Sequence, residues 1–174
     1  MSTAFVHPTA VVEPGVLLGD EVRLWHFVHA RMGAAIGEGT QVGKSCYIDS
    51  GVVIGQRCKI QNFVSVFRGV SLGDDVFVGP SVVFTNDLFP RSSGSWSLVE
   101  TVVESGASIG ANATIVCGTT IGGYAMVGAG TVVVDNVPRF GLVVGNPGRL
   151  IGWVCRCGAR VSNPVESCVH ERAR

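Results

Sequence analysis

The stretch IGANATIVCGTTIGGYAMVGAGTVV, residues 109–133, decides the fold of this 174-residue chain. A large aliphatic residue returns at every sixth position, and glycine often follows it. The aliphatic positions are Ile109, Ile115, Ile121, Val127 and Val133. A helix would repeat about every 3.6 residues and a plain strand would not turn, so neither explains a period of six. Six residues fit one short strand and one corner, where glycine is expected because it accepts positive φ.

The same repeat runs through the N-terminal half, from Val6 to Phe84, and only Ala30 among its main positions is small. A second series of small or β-branched residues lies four positions after each main position, as at Val22 and Val64. Stacked units bury a continuous core that no single unit could bury, and three units make one triangular coil. The sequence therefore predicts an all-β chain that folds as a parallel β-helix of roughly seven coils.

Composition excludes several classes of function. Acidic and basic residues number 13 each, so net charge provides no attraction to nucleic acid or to an anionic membrane. The sequence has no apolar run of about 18 residues that could span a membrane. Its first residues lack a basic segment followed by an apolar core, so we expect no signal peptide and a cytoplasmic location.

The repeat is interrupted after Phe84. Residues 87–101 contain Pro90 and four serines and carry no sixth-residue signal, and the repeat resumes near Val103. Long loops inside compact repeats are commonly functional. We expect a β-helix domain over residues 1–138 that carries this loop, followed by a C-terminal cap with a cysteine-containing tail over residues 139–174.

Several motifs resemble the hexapeptide-repeat acyltransferases, among them LGDEVR, IGQRCKI, LGDDVFVGPSVV and VVGNPGRLIG. The resemblance covers about residues 6–154. The set RLWHFVHAR, KIQNFVSVFRGV, GPSVVFTNDLFPRS and GASIGANATIVCG is similar to the N-acetyltransferases of nucleotide-linked 3-amino sugars. This resemblance implies a left-handed parallel β-helix and a homotrimer with sites between subunits. It also implies acetyl transfer from acetyl-CoA to the amine, at C3, of a dTDP- or UDP-linked sugar, by direct attack without an acyl-enzyme.

Asn86 lies at the corner just before the loop. The resemblance places the asparagine of the FTN motif beside the sugar amine, whereas its own chemistry equally suits a turn cap. Asp87 could orient the amine or shape the same turn. Arg91, within the loop, is a further candidate for substrate binding. The resemblance also implies that the loop helps to form the cleft between adjacent subunits.

His26 and His29 lie three residues apart in the motif LWHFVH and need not share a face. A histidine titrates near neutral pH and can accept a proton, so each is a candidate catalytic residue. A surface hydrogen bond or a subunit contact is the alternative. Arg31, Gln61 and Asn62 could bind sugar or nucleotide oxygens, although Asn62 is also a corner residue.

The resemblance implies that the pantetheine arm of acetyl-CoA contacts the backbone at Gly110–Ala111 and Gly128–Ala129. It places the diphosphate end near the last coils. Arg139 and Arg149, with Asn146–Pro147 of the GNPGR motif, fit that place because phosphate favours arginine forks. A simple turn that closes the end of the helix is the alternative for GNPGR.

The C-terminal tail contains Cys155, Cys157, Cys168 and His170, which could hold a structural zinc ion in tetrahedral geometry. Their C-x-C and C-x-H spacing departs from the usual C-x₂-C pairing, so the sequence alone assigns no metal. The other cysteines fall on or beside repeat positions and are expected in the core: Cys46, Cys58 and Cys117.

Three other functions are alternatives to acetylation of an amine. A γ-type carbonic anhydrase needs three histidines that include a pair five residues apart, and the four histidines of this sequence form no such pair. O-acetylation of a sugar or of serine needs a true base, for which His26 or His29 would serve. A non-catalytic scaffold would have no need of the loop, the FTND corner or the basic C-terminal end.

Overall fold

A computed structural model describes residues 3–164 and residue 168. Within this part of the chain all regular structure is β-strand, and most strands are two residues long. The described residues include no helix that is long and apolar enough to cross a membrane.

The strands form three sheets, which are the three faces of a triangular prism. The first sheet contains, in spatial order, β1 (Phe5–Val6), β4 (Arg23–Leu24), β7 (Gln41–Val42), β10 (Lys59–Ile60), β13 (Phe77–Val78), β16 (Ser108–Ile109), β19 (Met126–Val127), β21 (Gly141–Val144), β22 (Arg149–Val154) and β23 (Arg160–Val161). The second contains β2 (Val11–Val12), β5 (His29–Ala30), β8 (Tyr47–Ile48), β11 (Ser65–Val66), β14 (Val83–Phe84), β17 (Thr114–Ile115) and β20 (Val132–Val133). The third contains β3 (Leu17–Leu18), β6 (Ala35–Ile36), β9 (Val53–Ile54), β12 (Val70–Leu72), β15 (Thr101–Val103) and β18 (Thr120–Ile121).

Strands pair in parallel with the strand one coil further along the chain. Phe5 pairs with Arg23 and Arg23 with Gln41, so one coil consists of three six-residue units. The stack continues across the insertion, where Val83 pairs with Thr114. The predicted left-handed parallel β-helix is confirmed, with about eight coils instead of roughly seven.

The predicted core is also confirmed. The second residue of each two-residue strand points inward, and from Leu24 onward the main repeat positions up to Val133 are buried. The second series is buried from Val22 onward, and Cys46, Cys58 and Cys117 lie inside as expected. The first coil stacks on only one side, which leaves Val6 38% exposed.

The glycines that follow the inward residues do not have the conformation expected from the sequence. Gly37, Gly110 and their equivalents have ordinary φ, and the positive φ falls two residues later, as at Arg57 (φ 54°) and Asn112 (φ 58°). Glycine is needed at these positions because the next coil approaches closely. A Cβ at Gly110 would lie 2.5 Å from the backbone nitrogen of Ala129 in that coil. Coils can therefore stack tightly only where these corners lack a side chain.

The insertion and the C-terminal end complete the fold. Residues 85–100 contain no strand, and Thr101, placed in the loop from the sequence, belongs instead to β15, where its side chain is buried. After β21, the last parallel strand, the chain turns back as the antiparallel pair β22 and β23 on the first sheet.

Candidate active site

The corners between sheets stack into three edges that run along the prism. We call the corners between the first and second sheets the Gly110 edge, and those between the second and third sheets the Asn86 edge. The corners between the third and first sheets form the Arg139 edge. Most of the predicted residues lie on these edges, whereas His29 lies in β5 on the second sheet, so His26 and His29 lie at different places around the coil.

The Asn86 edge carries a network of charged side chains in its first coils. The Nε2 atom of His29 lies 2.9 Å from the Glu13 carboxylate, and Nε of Arg31 donates to the same oxygen at 3.3 Å. A terminal nitrogen of Arg31 donates to the Tyr47 hydroxyl and to Asp49, both at 3.3 Å. Arg31 is therefore largely occupied by neighbours on its own edge.

Backbone contacts carry this network along the edge as far as Asn86. The Tyr47 hydroxyl donates to Asp49 at 3.1 Å, and the other Asp49 oxygen accepts the backbone N–H of Arg68 at 3.2 Å. The Asn86 amide in turn donates to the carbonyl of Arg68 at 3.3 Å. The position of the Asn86 side chain thus depends on a corner that Asp49 holds.

These contacts lower the pKa of the two carboxylates of the network. The backbone N–H of Met32, followed by His29 and Arg31, lowers the pKa of Glu13. Partial burial alone would raise the pKa of Asp49, but the backbone N–H groups of Ser50 and Arg68, the Tyr47 hydroxyl and the Arg31 charge together lower it.

The loop leaves the Asn86 edge and returns to it. Its neck is closed where the Val99 N–H donates to the carbonyl of Asn86 at 3.0 Å. The Asp87 carboxylate accepts the Phe89 N–H at 2.9 Å, which is the turn role weighed for it from the sequence. Arg91 is exposed and donates to the carbonyl of the preceding proline at 2.7 Å. The loop also presents three exposed apolar side chains: Leu88, Phe89 and Trp96.

The lower part of the Gly110 edge forms a groove of about 350 Å³. It brings together three residues predicted from the sequence, His26, Gln61 and Asn62, with Lys44 and Lys59, which the sequence reasoning missed. The His26 ring stacks on that of His7 with centroids 3.6 Å apart. Asn62 also has the corner role that was weighed for it, because its Oδ1 accepts the Lys44 backbone N–H at 2.8 Å.

The upper part of the Gly110 edge presents bare backbone. In the described part of the chain, the backbone N–H groups of Ala111 and Ala129 make no hydrogen bond. Both residues follow a corner glycine, which adds no side chain beside these groups. An N–H group left open at a surface corner can donate to a ligand.

The residues predicted for the diphosphate end are spread over the last coils. The GNPGR turn lies beside β20, where the Gly148 N–H donates to the Val132 carbonyl at 2.7 Å, and so extends the Gly110 edge. Its Asn146 and Pro147 are exposed. Arg149 begins β22 and borders a small cleft of about 210 Å³.

Arg139 lies on another edge, with its guanidinium carbon 4.8 Å from the centre of the Phe140 ring and 5.2 Å from that of Tyr124. The structure therefore does not place Arg139 on the edge that carries Gly110.

The sequence reasoning missed Glu13, Tyr47 and Asp49 because it compared residues only within one six-residue unit. Glu13, Arg31 and Asp49 occupy the same corner position in successive coils, as the register of β2, β5 and β8 shows. Charges of alternating sign at one coil position are the sequence signal that could have found this ladder.

The three cysteines of the tail lie close together at the C-terminal hairpin. The sulfurs of Cys155, Cys157 and Cys168 all lie within 4.8 Å of one another. His170, the fourth residue of the hypothesis drawn from the sequence, lies outside the described residues.

Comparison with known proteins places this architecture in a family. Two repeat families match: "Bacterial transferase hexapeptide (six repeats)" over residues 33–68 and "Hexapeptide repeat of succinyl-transferase" over residues 100–134. The chain is 51% identical over 165 residues to a dTDP-3-amino-3,6-dideoxy-alpha-D-galactopyranose 3-N-acetyltransferase from Aneurinibacillus thermoaerophilus, a match that covers 91% of this chain and 83% of the relative.

Solved structures agree with this placement. A hexapeptide-repeat-containing acetyltransferase from Vibrio cholerae, solved with acetyl-coenzyme A, is 29% identical with a TM-score of 0.62 over 70% of each chain. The acetyltransferase domain of PglB from Neisseria gonorrhoeae shares the fold, with a TM-score of 0.56 at 20% identity over 86% of this chain and 58% of that one. The chain belongs to the hexapeptide-repeat acetyltransferases, as its sequence motifs predict.

Proposed function

We propose that this protein transfers the acetyl group of acetyl-CoA to the C3 amine of a dTDP- or UDP-linked amino sugar in the cytoplasm. The observation that carries the proposal is the 51% identity, over most of both chains, to an enzyme named for that reaction on a dTDP-linked 3-amino sugar. The aligned region includes nearly the whole β-helix and therefore both edges.

The Gly110 edge can bind the two substrates at neighbouring places along its length. The groove in the lower coils contains Lys44 and Lys59, whose positive charges match the diphosphate of a nucleotide sugar. The open N–H groups of Ala111 and Ala129 lie further along the same edge, where they can bind the amide oxygens of pantetheine and the thioester carbonyl. Gln61 and His26 then contact sugar or nucleotide oxygens within the groove.

The reaction needs alignment more than it needs a base. The neutral amine of the sugar attacks the thioester carbon and a C–N bond forms, while an N–H group of the Gly110 edge stabilises the oxyanion. Collapse of this intermediate breaks the C–S bond. The proton lost by the nitrogen goes to the departing thiolate, so the products are the amide and CoA thiol.

Asn86 is the residue proposed to position the amine. Its amide oxygen can accept from the amine while the amide nitrogen remains bonded to the Arg68 carbonyl. His29 has a different role in this proposal, because its Nε2 already contacts Glu13 and the pair supports the Asn86 edge. Asp87 also has a structural role in this proposal, at the start of the loop.

A complete site requires a second copy of the chain. Within one chain, Asn86 lies at one margin of the second sheet, and the corner that carries Ala111 lies at the other. We propose a homotrimer in which the Asn86 edge of one subunit faces the Gly110 edge of the next. Leu88, Phe89 and Trp96 in the exposed loop supply apolar surface for that contact.

A thiol-release assay tests the function. Purified protein is mixed with acetyl-CoA and a panel of dTDP- and UDP-linked sugars that carry an amine or a hydroxyl at C3. We expect free CoA only with the 3-amino sugars. Release with hydroxyl acceptors would favour O-acetylation and direct mutagenesis to His26 and His29. If no sugar in the panel causes CoA release and acetyl-CoA does not bind, a non-catalytic scaffold is favoured.

A further inference from the structure

The C-terminal hairpin gathers three thiols from separate positions. The sulfur of Cys155 lies 3.0 Å from that of Cys157 and 3.7 Å from that of Cys168, and all three sulfurs lie within 4.8 Å of one another. Cys168 is distant from the pair in sequence, so its approach is a tertiary contact. Among the described residues, this is the cluster whose donor atoms suit a metal ion.

The spacing of the sulfurs is close to that of a tetrahedral thiolate site. Zn–S bonds of about 2.3 Å place neighbouring sulfurs roughly 3.8 Å apart. The separation of Cys155 and Cys168 matches this value, and that of Cys155 and Cys157 is shorter, which a small rotation of the half-buried Cys157 side chain would correct.

The backbone around the first two thiols is held in a tight turn. The Cys155 N–H donates to the Ala159 carbonyl at 2.9 Å, and the Gly158 N–H donates back to the Cys155 carbonyl at 2.8 Å. Gly158 has φ 83°, a conformation that favours glycine. The turn therefore holds the Cys155 and Cys157 side chains close together.

We propose that Cys155, Cys157 and Cys168 bind a structural zinc ion that fastens the C-terminal segment to the end of the β-helix. The described residues supply three cysteine sulfurs to this site. The binding site is distant in sequence from Asn86 and Gly110, and its existence does not depend on which reaction the protein catalyses.

The position of the site indicates what the metal would stabilise. Val154, just before the first ligand, is buried and its N–H donates to the Phe140 carbonyl at 2.9 Å. Arg156, between the first two ligands, lies over the Tyr124 ring at 4.8 Å. A zinc ion here would link the exposed Cys168 to a turn that packs on the last coils, and so would close the end of the core.

Metal content tests the proposal directly. The full chain is expressed with added zinc and purified with a phosphine reductant and without chelator, and its zinc is measured by plasma mass spectrometry. We expect about one zinc ion per chain, and less than about a tenth of that in Cys157→Ser and Cys168→Ser. Cys117→Ser, which changes a buried core cysteine, is the matched control and should keep its zinc.

Cobalt gives a second readout that does not depend on stability. Co²⁺ added to metal-free protein should produce thiolate-to-metal charge-transfer bands in the wild type and in Cys117→Ser, and weaker bands in Cys168→Ser. Cys168 is exposed, so its loss should leave the core intact. The proposal is overturned if reduced wild-type protein carries no stoichiometric zinc and shows no such bands. A disulfide between Cys155 and Cys157 in protein purified without reductant, with no zinc after reduction, would overturn it equally.

Discussion

The Asn86 edge and the upper Gly110 edge are built from the same kind of corner, but they differ in whether a side chain accepts the backbone N–H of its second residue. On the Asn86 edge, a carboxylate from the previous coil accepts the N–H of the second corner residue: Glu13 accepts from Met32 at 2.9 Å, and Asp49 from Arg68 at 3.2 Å. On the upper Gly110 edge, the equivalent N–H groups of Ala111 and Ala129 make no hydrogen bond in the described chain.

This difference shows how a repeat fold obtains specific surfaces. A side-chain ladder that satisfies its own backbone makes a rigid edge, which is suited to holding one polar group in place. Corners of glycine and alanine make an edge whose backbone remains available to a ligand. The predictions below test the two edges in turn, from the largest expected effect to the smallest.

The largest effect is expected from a side chain on the bare edge. A Cβ at Gly110 would lie 2.5 Å from the nitrogen and 2.8 Å from the Cα of Ala129. Both atoms belong to the backbone, so the coils must separate, and Gly110→Ala should cost about 3 kcal/mol or more of unfolding free energy. Chemical denaturation measures it.

The control for that change is Gly130→Ala on the same edge. Gly130 has φ 69° and open space where a Cβ would be, so alanine there incurs only the left-handed backbone penalty of about 1–2 kcal/mol. Equal losses in the two variants would show that close approach of the coils is not the reason for the corner glycine.

On the other edge, Asn86→Ala should lower kcat about a hundredfold, because misplacing the attacking amine costs that much in a reaction based on alignment. The KM for acetyl-CoA should change little, since the donor is proposed to bind the Gly110 edge. Steady-state CoA release gives both constants. Asn163→Ala, an exposed asparagine beyond β23, should behave as wild type. Unchanged turnover in Asn86→Ala would remove the residue from the site.

Weakening the link between the charged network and Asn86 is expected to lower activity by a smaller factor. Asp49→Asn leaves a weaker acceptor for the Arg68 N–H and removes the charge that faces Arg31. We expect a loss of about tenfold in kcat/KM for the sugar, which is less than that of Asn86→Ala because the amide itself remains. In the double variant Asp49→Asn/Asn86→Ala, the two losses should not add, as expected for residues that act together. Full additivity would contradict the link.

The smallest effect concerns pH. The pKa of Glu13 is lowered in the folded chain, so its stabilisation is complete above the unfolded pKa of about 4.3 and is lost as the pH falls through the folded value. The difference in thermal midpoint between wild type and Glu13→Gln should therefore be constant near neutrality and shrink on acidification below about pH 4. A difference that grows as the pH falls would contradict the lowered pKa of Glu13 in the folded chain.

The sequence predicts the fold well because the six-residue period is a local signal that is repeated in every coil. It also places Asn86 at a corner beside the loop, since the loss of the period is visible around Thr85. The role predicted for the corner glycines was wrong because the atoms that require them, such as the Ala129 backbone, lie one coil away. Glu13 and Asp49 were missed for the same reason.

The most direct test of the account asks whether one site uses two chains. Asn86→Ala and Ala129→Trp, whose bulky ring would cover the open N–H groups, are co-expressed with different tags, and mixed oligomers are purified on both tags. Each variant alone should be nearly inactive. If sites lie between subunits of a trimer, every mixed trimer has one intact site, and activity should return to about a third of wild type. Mixed trimers as inactive as the parent variants would contradict the account.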